Sequence, residues 1–220
     1  MSVEQFLRSI PLFYCLEGHD LAALAASAHT RTYGRGDLLP QPAYPAHVIS
    51  FVEQGSVRLY LLDVDGRQLT VSVRRPGDYF WQISRDPAGV PESVVEAIAD
   101  TTIVHIFPRR DFDALVARYP ALALALIADL SLHLGVAYAR LKDAALCTVE
   151  VQLAHALVRL AGAEGQAVVH AGHEEMAAEI GIGRDQVSKG LRHLRDERLI
   201  AQQRHHRTIE LLQPERLRAL

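Results

Sequence analysis

The segment His173-Glu-Glu-Met-Ala-Ala-Glu-Ile-Gly181-Ile-Gly183-Arg-Asp-Gln-Val-Ser-Lys-Gly-Leu-Arg-His-Leu194 holds two short helical patterns broken by glycine. Met176, Ala177 and Ile180 fall on one face of the first. Gly181 can take a positive φ and turn the chain sharply. Ile182 is then directed inward, and Val187, Leu191 and Leu194 place the second helix on the same core. This leaves Arg184, Asp185, Ser188, Lys189 and Arg192 facing outwards. The pattern is that of a helix-turn-helix whose second helix can enter a major groove. Arg can grip guanine with two hydrogen bonds, Lys and Ser can bind guanine or phosphate, and Asp can accept from cytosine N4. Taken alone, the stretch also suits an αα-hairpin inside a helical core.

The residues downstream favour DNA. Leu199–Gln203 and Thr208–Leu212 read as two strands, with Arg204, His205, His206 and Arg207 at the tip between them. A cationic hairpin after a helix-turn-helix makes a winged helix, with its tip along phosphate. His205 and His206 are adjacent on a turn without further ligands, so no metal site is expected. The net charge of −3 hides an uneven distribution. Residues 1–147 hold 13 Lys/Arg against 16 Asp/Glu, whereas Arg184 to Arg207 alone carries +4 in 24 residues.

Upstream, two zones differ in pattern. Between Thr30 and Phe107 the chain reads as short strands with turns: His47–Glu53, Ser56–Leu62, Arg67–Val73, Val94–Ile98 and Ile103–Phe107. Many short antiparallel strands imply a sandwich or small barrel. Arg109–Tyr119 and Ala121–Leu146 follow as helices. In the longer one, Ile127, Leu130, Leu134, Ala137, Leu141 and Ala144 are spaced 3, 4, 3, 4, 3, the seam of a two-helix coiled coil. A homodimer is the expectation.

Two cysteines, Cys15 and Cys147, exclude a disulfide scaffold, a zinc ribbon and a four-cysteine iron–sulfur cluster. Either thiol is open to a redox role, although a lone buried thiol is usually inert. Met1–Ile10 shows no signal peptide, and the longest apolar run, Ala121–Ala128, is far short of a membrane span. A cytoplasmic protein that binds no membrane is expected. His47, His105 and His133 are read as surface residues of strands or helices. The strand zone has no His-x-His, which argues against a cupin-type metalloenzyme and leaves no catalytic residue to nominate.

Several ordered motifs resemble the CRP/FNR family of bacterial transcription regulators. They are Ile10-Pro-Leu-Phe13, Tyr33-Gly-Arg-Gly-Asp37, Gln54-Gly-Ser-Val-Arg-Leu59, Arg75-Pro-Gly-Asp78, Met176-Ala177, Gly181, Arg184-Asp185, Val187-Ser188-Lys189, Leu191, Leu194 and Leu199-Ile200. The resemblance implies an α+β fold with an antiparallel, jelly-roll-like β-roll (1–119) for effector sensing. A dimerisation helix (120–146) and a C-terminal winged helix-turn-helix (147–220) follow. It also implies a dimer on a near-palindromic duplex operator and contact with RNA polymerase. The family's base- and phosphate-contacting positions fall on Arg184, Asp185 and Lys189. Gly183 stands where the family usually has Ser, removing a cap, and Lys189 replaces the usual Arg.

Members that bind cyclic nucleotides resemble one another in a Gly-Glu pair followed by Arg-Ser or Arg-Thr. Here no Gly-Glu pair appears in the segment from Gly77, and Glu92 precedes Ser93 where Arg is needed. A carboxylate there repels a cyclic phosphate, so cyclic AMP is not the expected effector. Haem-binding members resemble the chain around Gly77–Phe80, but Trp81 and Ile83 stand where their ligands would be. Haem or another small molecule stays open as an effector, with Phe80, Trp81, Glu92 and Ser93 as the candidate pocket. A sensor with a vestigial winged helix is the remaining rival.

Overall fold

The computed structural model describes residues 1–39, 48–62, 64–81, 93–164, 167–202 and 208–220. The chain divides into two compact units, Met1–Leu62 with Val71–Leu134 and Asp63–Thr70 with Gly135–Leu220.

The first unit opens with helices that hydrophobic periodicity alone did not reveal. α1 (Val3–Ser9) begins with a capping box, in which the Gln5 amide donates to the Ser2 hydroxyl and the Ser2 amide to the Gln5 side chain. A 3-10 turn (Pro11–Phe13) and α2 (Gly18–Ala26) follow. The strands are β1 (His29–Tyr33), β2 (Val48–Gln54), β3 (Val57–Leu62), β4 (Gln68–Arg74), β5 (Tyr79–Phe80), β6 (Ser93–Ala97) and β7 (Thr102–Pro108). They form a sheet ordered β1-β7-β2-β5 and a second ordered β4-β3-β6. Alternation along each strand serves two cores. Val52, Phe80 and Val104 meet Val57, Leu59, Val95 and Ala97 from the other sheet inside the roll. Ile49, Phe51 and Phe107 face the other way, against Phe6, Leu7, Phe13 and Leu21.

His105 corrects the expectation of a surface histidine. It is 1% exposed, with Nε2 2.7 Å from Glu53 and Nδ1 2.9 Å from the Thr30 hydroxyl. Its ring also lies 5.1 Å from that of Phe6, so both nitrogens are committed to bracing the sheet. Gly55 sits at φ +75°, where an added Cβ would collide with the Thr101 carbonyl and come within 2.6 Å of Thr102 Oγ1.

α3 (Arg109–Arg118) is tied to α2 by Arg118 and the Tyr119 hydroxyl, at 2.8 and 2.5 Å from Asp20. α4 (Pro120–Leu146) buries Leu122 and Leu126 in the helical core. From Ile127 onward its apolar side chains lie open: Ile127, Leu130, Leu134 and Leu141 are each at least half exposed, and Ala137 and Ala144 are exposed with them. By length and composition α4 would suffice to cross a bilayer. The short apolar run that argued against a span understated it, because alanines and scattered leucines extend the apolar surface through 27 residues.

The second unit packs α5 (Val149–Glu164), α6 (His173–Ile180), α7 (Arg184–Asp196) and α8 (Pro214–Arg218) with a sheet ordered β8-β10-β9. Its strands are β8 (Val168–His170), β9 (Ile200–Gln202) and β10 (Thr208–Leu211), all antiparallel. Leu153, Leu157, Met176, Val187, Leu191, Leu194 and Ile209 form the core.

Candidate nucleic-acid interface

Gly181 ends α6 in the left-handed conformation, φ +74° and ψ +29°, with its amide on the Ala177 carbonyl. This is the turn that the glycine was expected to supply. Gly183 starts α7 in extended backbone without a side-chain cap, and Gln186 accepts from the Gly183 amide at 3.2 Å as a partial substitute. Val187, Gly190, Leu191 and Leu194 are buried. The opposite side of α7 presents Arg184, Asp185, Lys189 and Arg192, all exposed.

Not every outward position is equally available. Ser188 is half-buried, and its hydroxyl lies 2.9 Å from His173 Nδ1 and donates to the Arg184 carbonyl at 3.0 Å. It fastens α7 to α6 as well as facing the groove side. Arg184 lies 3.6 Å from Glu174, an exposed pair that exchanges readily for a stronger acceptor. The expected wing contacts Arg204, His205, His206 and Arg207 lie outside the described residues; β9 and β10, on either side of them in sequence, pair Ile200 with Leu211 and Gln202 with Ile209.

Four supporting residues are not legible from the sequence pattern. Gly190 marks a close crossing of α7 and α5: an added Cβ would run into Leu153 and sit 3.4 Å from Val149. Glu179 is 7% exposed and accepts from Arg140 at 2.7 Å, while Arg140 also donates to the Thr70 carbonyl at 2.6 Å. Burial pulls the Arg140 guanidinium below its usual range, and Glu179 opposes that pull. Arg198, after α7, holds φ +56°, a position that usually takes glycine. A buried carboxylate in an amphipathic helix and a distant arginine cannot be paired from spacing alone.

Among the described candidate effector residues, Phe80 and Trp81 face opposite ways. Phe80 faces the roll interior, and Ser93 is buried on β6 beside Val95. Trp81 turns the other way, 5.1 Å from Tyr79 and 6.4 Å from Phe112. Glu92 lies outside the described residues. On the Tyr79 side a cavity of about 330 Å³ is lined by Ile10, Leu12, Arg74, Tyr79, Asp129 and His133. There the Tyr79 hydroxyl donates to Asp129 at 2.6 Å, and Arg74 meets His133. Burial first, then the Asp129 contact, pushes the Tyr79 phenol well above its usual pKa, so it stays a donor.

Residues 151–220 match the Crp-like helix-turn-helix domain, and residues 30–119 match the cyclic nucleotide-binding domain. The nitrogen fixation regulation protein FixK of Rhizobium meliloti is 35% identical over 77% of this chain and 76% of its own length. The cyclic AMP receptor protein of Thermus thermophilus is 26% identical over 88% of this chain and 89% of its own. Among solved structures, a CRP/FNR-family regulator from Eubacterium rectale superposes with a TM-score of 0.75 at 20% identity, covering 96% of this chain and 97% of its own. The two-sheet roll, the long helix and the winged helix-turn-helix therefore define a DNA-binding regulator of transcription. The chain belongs to the CRP/FNR family.

Proposed function

We propose that two copies of the chain pair along α4 and read a near-palindromic operator through α7. The exposed face of Arg184, Asp185, Lys189 and Arg192, on a helix whose other side is fully packed, carries this reading. Arg184 and Arg192 supply guanine-binding forks, Asp185 an acceptor for cytosine, and Lys189 a point charge for guanine or phosphate. Arg204, His205, His206 and Arg207 follow phosphate on the wing. Pairing of Ile127, Leu130, Leu134, Ala137, Leu141 and Ala144 removes an exposed apolar stripe and sets the two recognition helices one turn of DNA apart, about 34 Å. It also accounts for an apolar α4 without a bilayer.

The functional division is a sensing roll in 1–119, a dimerisation helix in 120–146 and a DNA-binding region in 147–220. The regulator acts in the cytoplasm without a catalytic step, and RNA polymerase is its expected partner at the promoter. The effector differs from cyclic AMP, because Glu92 occupies the place of the phosphate-binding Arg. Light scattering on the purified chain, followed by selection of bound sites from random duplex DNA, tests the proposal. A dimer that enriches an inverted repeat supports it; a monomer, or enrichment of no sequence, overturns it. Micromolar cyclic AMP binding by calorimetry would refute the effector assignment.

A further inference from the structure

Where α4 passes into α5, a carboxylate, a thiol and an imidazole converge. Asp143 lies in the last turns of α4, Cys147 one turn later, and His155 in the second turn of α5. Asp143 is 5% exposed, so it points into the unit and away from the apolar seam; Cys147 and His155 are half-buried. His155 Nδ1 is 2.9 Å from Asp143 Oδ1, Cys147 Sγ is 4.0 Å from the same oxygen, and the three ligand atoms all lie within 4.8 Å of one another. Among the described residues this is the group of three such side chains with metal-binding spacing.

An ion pair explains part of this arrangement. Arg159 holds Asp143 Oδ2 at 3.0 Å, and Lys142 stands 3.8 Å from Oδ1. Burial alone would raise the Asp143 carboxyl, but the hydrogen bonds and charges of His155 and Arg159 outweigh it and keep the group ionised. Arg159 thereby orients one oxygen and leaves the other turned to the imidazole and the thiol. That is the outer-shell role a guanidinium can play beside a ligating carboxylate. Gln152 fixes the thiol's own backbone, donating to the Cys147 carbonyl at 3.0 Å.

We propose that Asp143 Oδ1, Cys147 Sγ and His155 Nδ1 bind a borderline divalent cation of the zinc type, with water in the fourth position. One sulfur, one nitrogen and one oxygen suit such an ion rather than magnesium or calcium, which take oxygen ligands. Bond lengths of about 2.0–2.3 Å to a tetrahedral ion bring its ligand atoms roughly 3.3–3.7 Å apart. The present separations bracket that range, so the site closes by small side-chain movements. Such an ion takes cysteine as the thiolate and histidine as the neutral imidazole, so its affinity falls with acid. The ion would lock the end of α4 to α5. The site is separate from the DNA-reading face and does not depend on it.

The test is titration of the reduced full-length chain with Co²⁺, then displacement by Zn²⁺. The expected result is a thiolate-to-cobalt charge-transfer band with tetrahedral d–d absorption, bleached by Zn²⁺. The band is lost in Cys147→Ser and His155→Gln and kept in Cys15→Ser. In the unsubstituted chain, Zn²⁺ should shield Cys147 from iodoacetamide while Cys15, which is exposed, remains reactive. This second readout needs no variant to fold. Absence of the band, its survival in Cys147→Ser, its loss in Cys15→Ser, or alkylation of Cys147 undiminished by Zn²⁺ would each overturn the site.

Discussion

The outward face of α7 and the interior of the β-roll use their side chains in opposite ways. On α7, four charged residues stand in solvent while Val187, Leu191 and Leu194 anchor the helix from behind. In the roll, Val52, Val57, Leu59, Phe80, Val95 and Val104 pack against one another, and Ser93 is buried among them. Exposed charges on a rigid support meet bases and phosphate without rearrangement. A close-packed interior admits a ligand only by displacing side chains it already holds. The contrast teaches that the charged face proposed to read DNA is already formed, whereas the roll interior is filled by its own side chains.

Substitutions at glycine should break the two regions in different ways. Gly55→Ala should cost the roll about 3 kcal/mol or more, since it adds a backbone collision to a left-handed φ. A large fall in the melting midpoint of the first unit checks this; an unchanged midpoint would contradict the close approach. Gly190→Ala should cost about 1–3 kcal/mol, because the obstacle is mainly the Leu153 side chain in a packed core. It should also weaken binding to every duplex alike by tilting α7, as read by chemical denaturation and DNA titration together.

Gly181 and Gly190 show what was legible in the sequence and what was not. Gly181 was readable because a positive φ between two apolar patterns has a local signature. Gly190 was not, because its reason is Leu153, 37 residues earlier in the chain. The helix-turn-helix, the strands that follow it and the exposed apolar stripe of α4 follow from period and turn chemistry. α1 and α2 were missed, although Ser2 and Gln5 carry a capping signal, because neither helix shows a long apolar repeat. β5 is two residues long and exists only through its pairing with β2. Of the site, the charged face of α7 was legible, and the internal bonds of Ser188 were not. The placing of Trp81 opposite to Phe80 follows from strand alternation, which the sequence reading left unused there.

Smaller effects sharpen the comparison. The Asp143 pKa is depressed in the folded chain, so its contribution to stability is complete above the unfolded value of about 3.9. It is lost as the pH falls through the folded value. Acid titration should therefore destabilise wild type more than Asp143→Asn over that range, although the variant is less stable at neutral pH. Equal acid sensitivity would contradict the depressed pKa. On the wing, Arg204→Gln and Arg207→Gln should each lower the salt slope of DNA binding by the proposed dimer by about 2, one phosphate contact per protomer, with sequence preference unchanged. A change in preference would move the wing from phosphate to bases.

The most direct test of the central claim is a binding profile of wild type and Arg184→Ala against every single-base variant of the selected operator. The account predicts a loss of about 1–3 kcal/mol, concentrated in relaxed preference at one base pair per half-site, with the melting midpoint unaltered. A variant that keeps both the affinity and the full base preference of wild type would contradict recognition through α7.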